Sequence, residues 1–198
     1  MQAMLVDSIR PGDWIYEIKF DGYRALALRA GNETRILSRN EKDLGGKFPE
    51  VKDAVAALNV QDAVIDGEIV ALDDKGRSSF QLLQGFDMGT EHLPIVFYAF
   101  DLLQLNGKDL KTLPIEERKA KMEELLINPS GALRYSISFT KDIDQLLGNA
   151  KDPGLERLIG KRSGFRYEVG KRTGAWVKIK LYRPQEMPPG RAKAGLPS

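Results

Sequence analysis

Hydrophobic and polar residues alternate in short runs along most of this 198-residue chain, and a period of two is typical of β-strands. In the clearest run, Trp14, Tyr16, Ile18 and Phe20 alternate with Ile15, Glu17, Lys19 and Asp21. Similar runs predict strands at 14–20, 23–29, 34–38, 63–72, 94–103, 134–139, 157–161 and 176–181. In the first strand, we expect one buried face, with Lys19 on the polar face beside Glu17 at the strand end.

Helical patterns are fewer, and they predict helices at 49–58, 79–85, 115–126 and 142–149. Pro114 stands just before the third of these, where a residue without an N–H group does no harm. Consecutive strands separated by hairpin-length turns favour antiparallel sheets over parallel βαβ units. We therefore predict an α+β domain in which two packed, mainly antiparallel β-sheets are flanked by helices and enclose a pocket.

The turn after the first strand, Asp21-Gly22, is typical of two-residue hairpin turns. It predicts that Arg24, on the following strand, lies close to Lys19. On the last strand, alternation places Trp176, Lys178 and Lys180 on one face. Two ammonium groups that face one pocket repel each other unless an anion lies between them, so this face suggests a phosphate site.

Short motifs follow one another along the chain: EIKFDGYR at 17–24, Ser38-Arg39-Asn40, Asp66-Gly67-Glu68, YAFD at 98–101, LERLIGK with Glu156 and Lys161, and WVKIK with Lys178 and Lys180. In type and order they resemble the motifs of covalent nucleotidyltransferases, which include ATP-dependent DNA ligases, RNA ligases and mRNA capping enzymes. The wording of EIKFDGYRA, FYAFDLL and GKRSGFRYEVGKRTGAWVKIK is most similar to the ligase domain of bacterial multifunctional end-joining DNA ligases.

This resemblance implies the covalent nucleotidyltransferase (ATP-grasp-like ligase) fold, ATP as nucleotide, and Mg²⁺ or Mn²⁺ as metal. It implies that Lys19 is the catalytic nucleophile, which attacks the α-phosphorus of ATP and keeps AMP as a phosphoramide. A nucleophilic amine must be neutral, and neighbouring cations such as Lys178 and Lys180 lower a lysine pKa from its usual value of about 10.4. The same cations would stabilise charge on the phosphoryl oxygens.

The resemblance also assigns roles around the nucleotide. Glu17 and the backbone of Ile18 would contact the adenine edge, and Phe100 would stack on the purine. Arg24 and Arg39 would contact the ribose, a phosphate or the 5′-phosphate of a nucleic acid. Glu68 would serve the ribose hydroxyl and the metal, and Glu156 the metal, since Mg²⁺ prefers oxygen ligands. Lys161 completes the nucleotide-binding set with Lys178 and Lys180.

The chain departs from the family pattern at one position, because Arg157 follows Glu156 where the family usually has glycine. Glycine allows close backbone approach or unusual dihedral angles. Two alternatives remain open: Arg157 crowds the pocket, or it points outward.

Composition adds that the chain has no cysteine, a net charge of +2, no membrane-length apolar segment and no signal-peptide core in residues 1–10. We expect the protein to lie in the bacterial cytoplasm, associated with the nucleoid, and not to bind a membrane. Basic residues crowd the last quarter of the sequence. We predict that they contact nicked or broken duplex DNA through Arg162, Arg166, Lys171 and Arg172; the alternative is a solvated basic edge.

The predicted organisation is an adenylation domain at 1–182 and a disordered or truncated tail at 183–198, which is rich in Pro, Gly and Ala. Related ligases continue into an OB-fold domain, which this sequence does not encode. The expectation is an excised domain, or a minimal protein to which an OB-fold domain or an end-joining partner protein supplies the rest.

The first hypothesis is an ATP-dependent DNA ligase adenylation domain that forms lysyl-AMP for nick or break sealing, and that seals weakly without an OB-fold. One alternative is a degenerate ligase domain that binds nucleotide or DNA without turnover, for which Arg157 and the missing OB-fold argue. Another is an RNA ligase or a capping-type enzyme, which shares the lysine motif.

Overall fold

The computed structural model describes residues 1–6, 11–89, 93–129, 131–140 and 157–180. In this part of the chain the strands are β1 (Met4–Val6), β2 (Trp14–Ile18), β3 (Tyr23–Ala30), β4 (Glu33–Ser38), β5 (Asp62–Ala71), β6 (Ile95–Leu105), β7 (Lys108–Asp109), β8 (Leu133–Tyr135), β9 (Ser138–Phe139), β10 (Arg157–Arg162) and β11 (Trp176–Lys180). The helices are α1 (Pro49–Ala56), α2 (Phe80–Asp87) and α3 (Ile115–Leu125). None of the helices in these ranges is long and apolar enough to cross a membrane.

The strands form two sheets. The five-stranded sheet has the order β1-β11-β10-β2-β9, and the six-stranded sheet has the order β4-β3-β5-β6-β7 with β8 added beside β6. All neighbours pair antiparallel except β1 with β11 and β6 with β8, which are parallel. The predicted α+β architecture of two mainly antiparallel sheets with helices is therefore confirmed.

The helices cover the six-stranded sheet through apolar residues at helical spacing. In α1, Val51, Ala54 and Val55 are buried, and Pro49 occupies the first turn, where it does no harm. In α2, the hydroxyl of Ser79 caps the first turn by accepting a hydrogen bond from the Leu82 N–H at 3.2 Å. The buried face of α3 differs, since it carries Arg118 and Lys119 beside Ile115 and Met122.

The hairpin predicted at Asp21-Gly22 is wrong. Strand β2 pairs with β10 and β9 in one sheet, whereas β3 pairs with β4 and β5 in the other, so residues 19–22 carry the chain from sheet to sheet. Gly22 fits this crossing because a Cβ atom there would overlap the carbonyl oxygen of Ile69. Arg24 nevertheless reaches the pocket that Lys19 lines, as predicted.

The single buried face predicted for the first strand is also wrong. All of Trp14–Glu17 is buried, so the polar side of β2 faces the interior between the sheets. Regular pairing ends at Ile18, and Lys19 follows the strand.

The remaining differences concern short elements. The strand predicted at 134–139 is two strands, β8 and β9, which belong to different sheets. Strands β1 and β7 were not predicted, because three and two residues are too few to show a period of two. The helix predicted at 142–149 lies outside the described residues.

Candidate active site

A cavity of about 270 Å³ opens between the two sheets. It brings together nine residues that the sequence predicted for one nucleotide site, Ile18 among them through its backbone: Glu17, Ile18, Lys19, Arg24, Arg39, Glu68, Phe100, Lys161 and Lys178. Arg172, which was predicted to contact DNA, also lines it. Gln2, Ala3, Phe20 and Ile159 also line it and were not predicted, and Trp176 completes the lining from the strand face that it was predicted to share with Lys178.

Lys19 is held at the junction of the sheets. Its backbone N–H donates to the carbonyl of Arg157 at 3.1 Å, which extends the pairing of β2 with β10 by one residue. Its Nζ forms an ion pair with Asp21 and donates to the carbonyl of Phe20 at 3.3 Å. The side chain is 15% exposed. The amine is therefore accessible from the cavity, and it must leave Asp21 to reach a ligand there.

Glu68 lies on β5 beside this crossing segment. Its Oε1 accepts a hydrogen bond from the Gly22 N–H at 3.1 Å. Burial raises the pKa of Glu68 to about 7, although that hydrogen bond and the charges of Lys19 and Arg24 act in the opposite direction. The carboxyl group can therefore exchange its proton near neutral pH.

Two carboxylates line this cavity, and Glu68, unlike Glu17, is not paired with buried lysines, so it is the better candidate to bind a divalent metal. Within the described ranges no group of three or more acidic, His or Cys side chains could hold a metal ion. Mg²⁺ commonly binds through one or two carboxylates together with substrate phosphates, and Glu68 fits that mode as one oxygen donor. Glu156, the other predicted ligand, lies outside the described residues.

Arg24 is committed to a buried partner. Its guanidinium forms a two-point ion pair with the nearly inaccessible carboxylate of Asp66, at 3.0 and 2.6 Å. Tyr167 donates its hydroxyl to the same carboxylate at 2.7 Å. The Arg24 guanidinium also lies 5.6 Å from the Phe100 ring centroid and 5.7 Å from that of Trp176. Arg24 therefore holds a fixed position beside the rings of Phe100 and Trp176, which line the cavity. The predicted contact of Arg24 with a ligand stays a prediction.

Lys161 is a buried part of the cavity wall. Its side chain is 1% exposed, and its Nζ donates to Glu17 Oε1 at 2.7 Å and to the carbonyl of Phe100 at 2.9 Å. The ammonium also lies 4.9 Å from the Phe100 ring centroid and 4.5 Å from that of Trp176. Burial lowers the pKa of Lys161, and the charge of Glu17 opposes this effect.

Glu17 is fully engaged by protein groups. Its Oε1 also faces Lys119 Nζ at 3.0 Å, and its Oε2 accepts from the Ser136 hydroxyl at 3.1 Å. The predicted contact between Glu17 and an adenine edge therefore competes with three existing partners. Sequence analysis missed Lys119 and Ser136. The signal that was available is the helical spacing of α3, which places two cations among apolar positions.

The predicted lysine pair lies on β11. Lys178 lines the cavity, and Lys180 follows it two residues later on the same strand, opposite Arg157 of β10. The side chain of Lys180 lies outside what the structure describes. Arg39 follows β4 and reaches the cavity from the six-stranded sheet.

Arg157 does not line this cavity. Its exposed side chain lines a second cavity of about 640 Å³, on the other side of Lys19, together with Arg77, Tyr98 and Phe139. Of the two alternatives for this departure from the family pattern, this placement favours the one in which Arg157 points away from the first cavity.

The other cations that were predicted to contact DNA lie on or after β10. Arg162 and Arg166 are exposed, and Lys171 pairs with Glu168 at 3.5 Å. Arg172 donates to the Gln2 side chain at 3.0 Å beside the first cavity. Of these four side chains, Arg172 lines the first cavity and the other three do not. The contact of all four with DNA stays a prediction.

Comparison with known proteins gives one consistent result. Residues 2–180 match the family described as ATP dependent DNA ligase domain. The chain is 39% identical over 186 residues to the multifunctional non-homologous end joining protein LigD of Pseudomonas aeruginosa, covering 93% of this chain and 22% of that protein. It is 33% identical over 190 residues to LigD of Mycobacterium tuberculosis, covering 96% and 24%. The chain thus spans about a quarter or less of these relatives.

Solved structures agree. The ligase domain of M. tuberculosis LigD superposes with a TM-score of 0.73 at 30% identity, over 90% of this chain and 59% of that one. A mycobacterial DNA ligase D complexed with ATP and MES gives 0.71 at 29% identity, over 91% and 60%. The Chlorella virus DNA ligase-adenylate gives 0.63 at 16% identity, over 91% and 65%, which supports the fold alone. The predicted nucleotidyltransferase ligase fold is confirmed.

Proposed function

We propose that this chain, which belongs to the ATP-dependent DNA ligase domain family, transfers AMP from ATP to Lys19. The observation that carries the proposal is the cavity between the sheets. It brings the motif lysine together with Glu68, Phe100, Lys161 and Lys178, which come from both sheets and from distant parts of the sequence.

The reaction is a displacement at the α-phosphorus. The Lys19 amine, after loss of a proton and release from Asp21, forms a bond to that phosphorus. The bond between the phosphorus and the oxygen that bridges to the β-phosphate breaks, and its electron pair leaves with pyrophosphate. Lys178 and Arg39, which line the same cavity, supply positive charge where the phosphoryl oxygens gain negative charge.

The rest of the cavity suits a nucleoside. Phe100, Ile159 and Trp176 provide apolar surface for a base, and Glu68 can accept a hydrogen bond from a ribose hydroxyl. When bound, Mg²⁺ or Mn²⁺ would neutralise part of the phosphate charge, with Glu68 as one oxygen ligand. ATP is the proposed nucleotide because of the family and because a structural relative is described as complexed with ATP.

The proposed acceptor of the adenylate is the 5′-phosphate at a nick or break in duplex DNA. The relatives are bacterial end-joining proteins. Arg162 and Arg166 are exposed, and Arg162 directly follows the cavity-lining Lys161 on β10. If these basic side chains contact DNA phosphates, the affinity for DNA should fall steeply as salt concentration rises. The proposed setting is DNA repair in the bacterial cytoplasm, together with further domains or partners that hold the DNA.

The test is the intact mass of the protein after incubation with ATP and Mg²⁺. We expect an AMP-sized increase in the wild-type chain and none in Lys19→Ala. Lys108→Ala, an exposed lysine on β7 in the six-stranded sheet, is the matched control and should still gain AMP. An adduct that persists in Lys19→Ala, or that peptide mapping assigns to another lysine, would exclude this chemistry.

The same assay separates the alternatives. Incubation with GTP in place of ATP should give no adduct, and a GMP adduct would favour a capping-type enzyme. Absence of any adduct, together with measurable ATP binding, would favour the degenerate domain. The position of Arg157 outside the first cavity supports the catalytic hypothesis over that alternative.

A further inference from the structure

A buried cation that no motif contains lies behind the proposed nucleotide site. Lys119 is on α3 and is only 4% exposed. Its Nζ donates to the carbonyl of Ser136 at 2.6 Å, lies 3.0 Å from Glu17 Oε1, and stands 4.4 Å from the ring centroid of Tyr135. Its charge is therefore satisfied inside the protein, without a partner in solvent.

Glu17 connects this lysine to the cavity. The same oxygen, Oε1, accepts from Lys161 Nζ at 2.7 Å, and Lys161 lines the cavity whereas Lys119 does not. The Ser136 hydroxyl holds the other oxygen at 3.1 Å. One carboxylate is thus held from three directions, by α3, by the segment between β8 and β9, and by β10.

We propose that Lys119 is a positioning residue of the nucleotide site, which acts through Glu17 to fix the location of the Lys161 ammonium. This inference rests on the proposed function, because it concerns the affinity of the same cavity for ATP. Lys119 does not line the cavity, and Glu17 is in contact with both Lys119 and the cavity-lining Lys161.

The physical reason lies in the arrangement of the charges. Two ammonium groups share one carboxylate oxygen, and each limits how far Glu17 can follow the other. Without Lys119, Glu17 is free to tilt toward Lys161, and Lys161 loses its fixed distance from Phe100, whose carbonyl it also binds. The charge of Lys119 also contributes to lowering the pKa of Lys161, after the larger effect of burial. A displaced cation at the base of the cavity weakens ligand binding before it changes the reacting atoms around Lys19.

The experiment measures lysyl-AMP formation in single turnover as a function of ATP concentration. This gives a half-saturating concentration and a maximal rate for each variant. For Lys119→Met we expect the half-saturating concentration to rise by about 10-fold, which corresponds to about 1.4 kcal/mol, while the maximal rate changes by less than about threefold. Lys119→Arg keeps the charge and should recover most of the affinity.

Controls separate positioning from folding. Lys121→Met, on the exposed side of α3, removes a charge from the same helix and should change neither parameter. Ser136→Ala removes one hydrogen-bond donor to Glu17 with little change in volume, and it should raise the half-saturating ATP concentration by about threefold. This variant tests the position of Glu17 if Lys119→Met folds poorly. Melting temperatures identify any variant that unfolds under the assay conditions.

A double-mutant cycle with Glu17→Gln gives the decisive comparison. If Lys119 acts through Glu17, the double variant binds ATP no more weakly than Glu17→Gln alone. Additive losses, or a Lys119→Met variant with wild-type half-saturation, would overturn the inference while leaving the proposed function intact. A wild-type chain that forms no adduct and binds no ATP would instead refute the proposed function.

Discussion

The two sheets of this domain use their interiors in opposite ways. The six-stranded sheet and its helices enclose the apolar core, a continuous cluster that includes Ile36, Phe48, Ile65, Phe97 and Leu102. On the five-stranded sheet, the described residues form small apolar clusters around Trp14, Tyr16 and Trp176. On its inner face, the buried carboxylate of Glu17 on β2 instead contacts Lys119, Lys161 and the Ser136 hydroxyl, which together form a polar, charged cluster.

This difference separates stability from chemistry. Burying apolar side chains stabilises a fold by about 25 cal/mol for each Å² removed from water, whereas buried ion pairs contribute little net stability. We infer that the apolar core supplies most of the folding free energy. The charged side of the domain can then keep a cavity open and hold cations close together. Substitutions on the two sides should therefore have distinct consequences.

The largest effect on stability is expected in the apolar core. Phe48 is completely buried against Tyr23 and Phe86. Phe48→Ala should lower the free energy of unfolding by about 3–5 kcal/mol, because it leaves a cavity that neighbouring groups fill only in part. Denaturant titration measures this loss, and the AMP adduct per folded molecule should stay unchanged. Loss of the adduct in molecules that remain folded would contradict the separation.

Lys178→Ala should show the reverse pattern. Removing one preorganised cation from the cavity is expected to slow adenylation by about 10²-fold or more. The free energy of unfolding should change by less than about 1 kcal/mol, because the side chain lies outside the apolar core. Lys52→Ala, an exposed lysine on α1, is the control. Marked unfolding with unchanged adenylation per folded molecule would show that the roles are exchanged.

Glu68 should make stability depend on pH. Its pKa is raised to about 7 in the folded protein against 4.5 in the unfolded chain, so folding favours the protonated form. Relative to Glu68→Gln, wild-type stability should fall as pH rises from about 4.5 to about 7, by at most about 3 kcal/mol, and then level off.

Denaturant titrations across this range, without nucleotide or divalent metal, measure the difference between the two proteins. Glu124→Gln, an exposed glutamate on α3, controls for the loss of one negative charge. A wild-type stability that rises with pH relative to Glu68→Gln would contradict a pKa of Glu68 that is raised in the folded protein.

Arg157→Gly should have the smallest effect. The side chain lines the second cavity, so the ATP dependence of adenylation should change by less than about threefold. Glycine within a strand is expected to cost about 0.5–1 kcal/mol of stability. Adenylation kinetics and thermal unfolding measure both. An increase of 10-fold or more in adenylation would mean that Arg157 does obstruct the nucleotide site.

The sequence by itself determined the strands and the motif residues. A period of two located β2, β3, β4, β5, β6, β10 and β11 within one or two residues, because alternation is a local property of an extended chain. The motifs identified the family and nine of the residues that line the cavity. A motif can be read from the sequence because its residues are close neighbours along the chain, on one strand or turn.

Only the tertiary structure decided how the strands divide between the sheets and which charges meet. The crossing at residues 19–22 depends on pairing partners far along the chain, and Asp21-Gly22 by itself also fits a hairpin. The contact of Glu17 with Lys161 joins residues 144 positions apart, and Lys119 reaches Glu17 from a helix on the other sheet. Such contacts depend on how strands and helices pack in three dimensions. The alternation of hydrophobic and polar residues predicts that a face is buried, but it does not identify the residues that the face packs against.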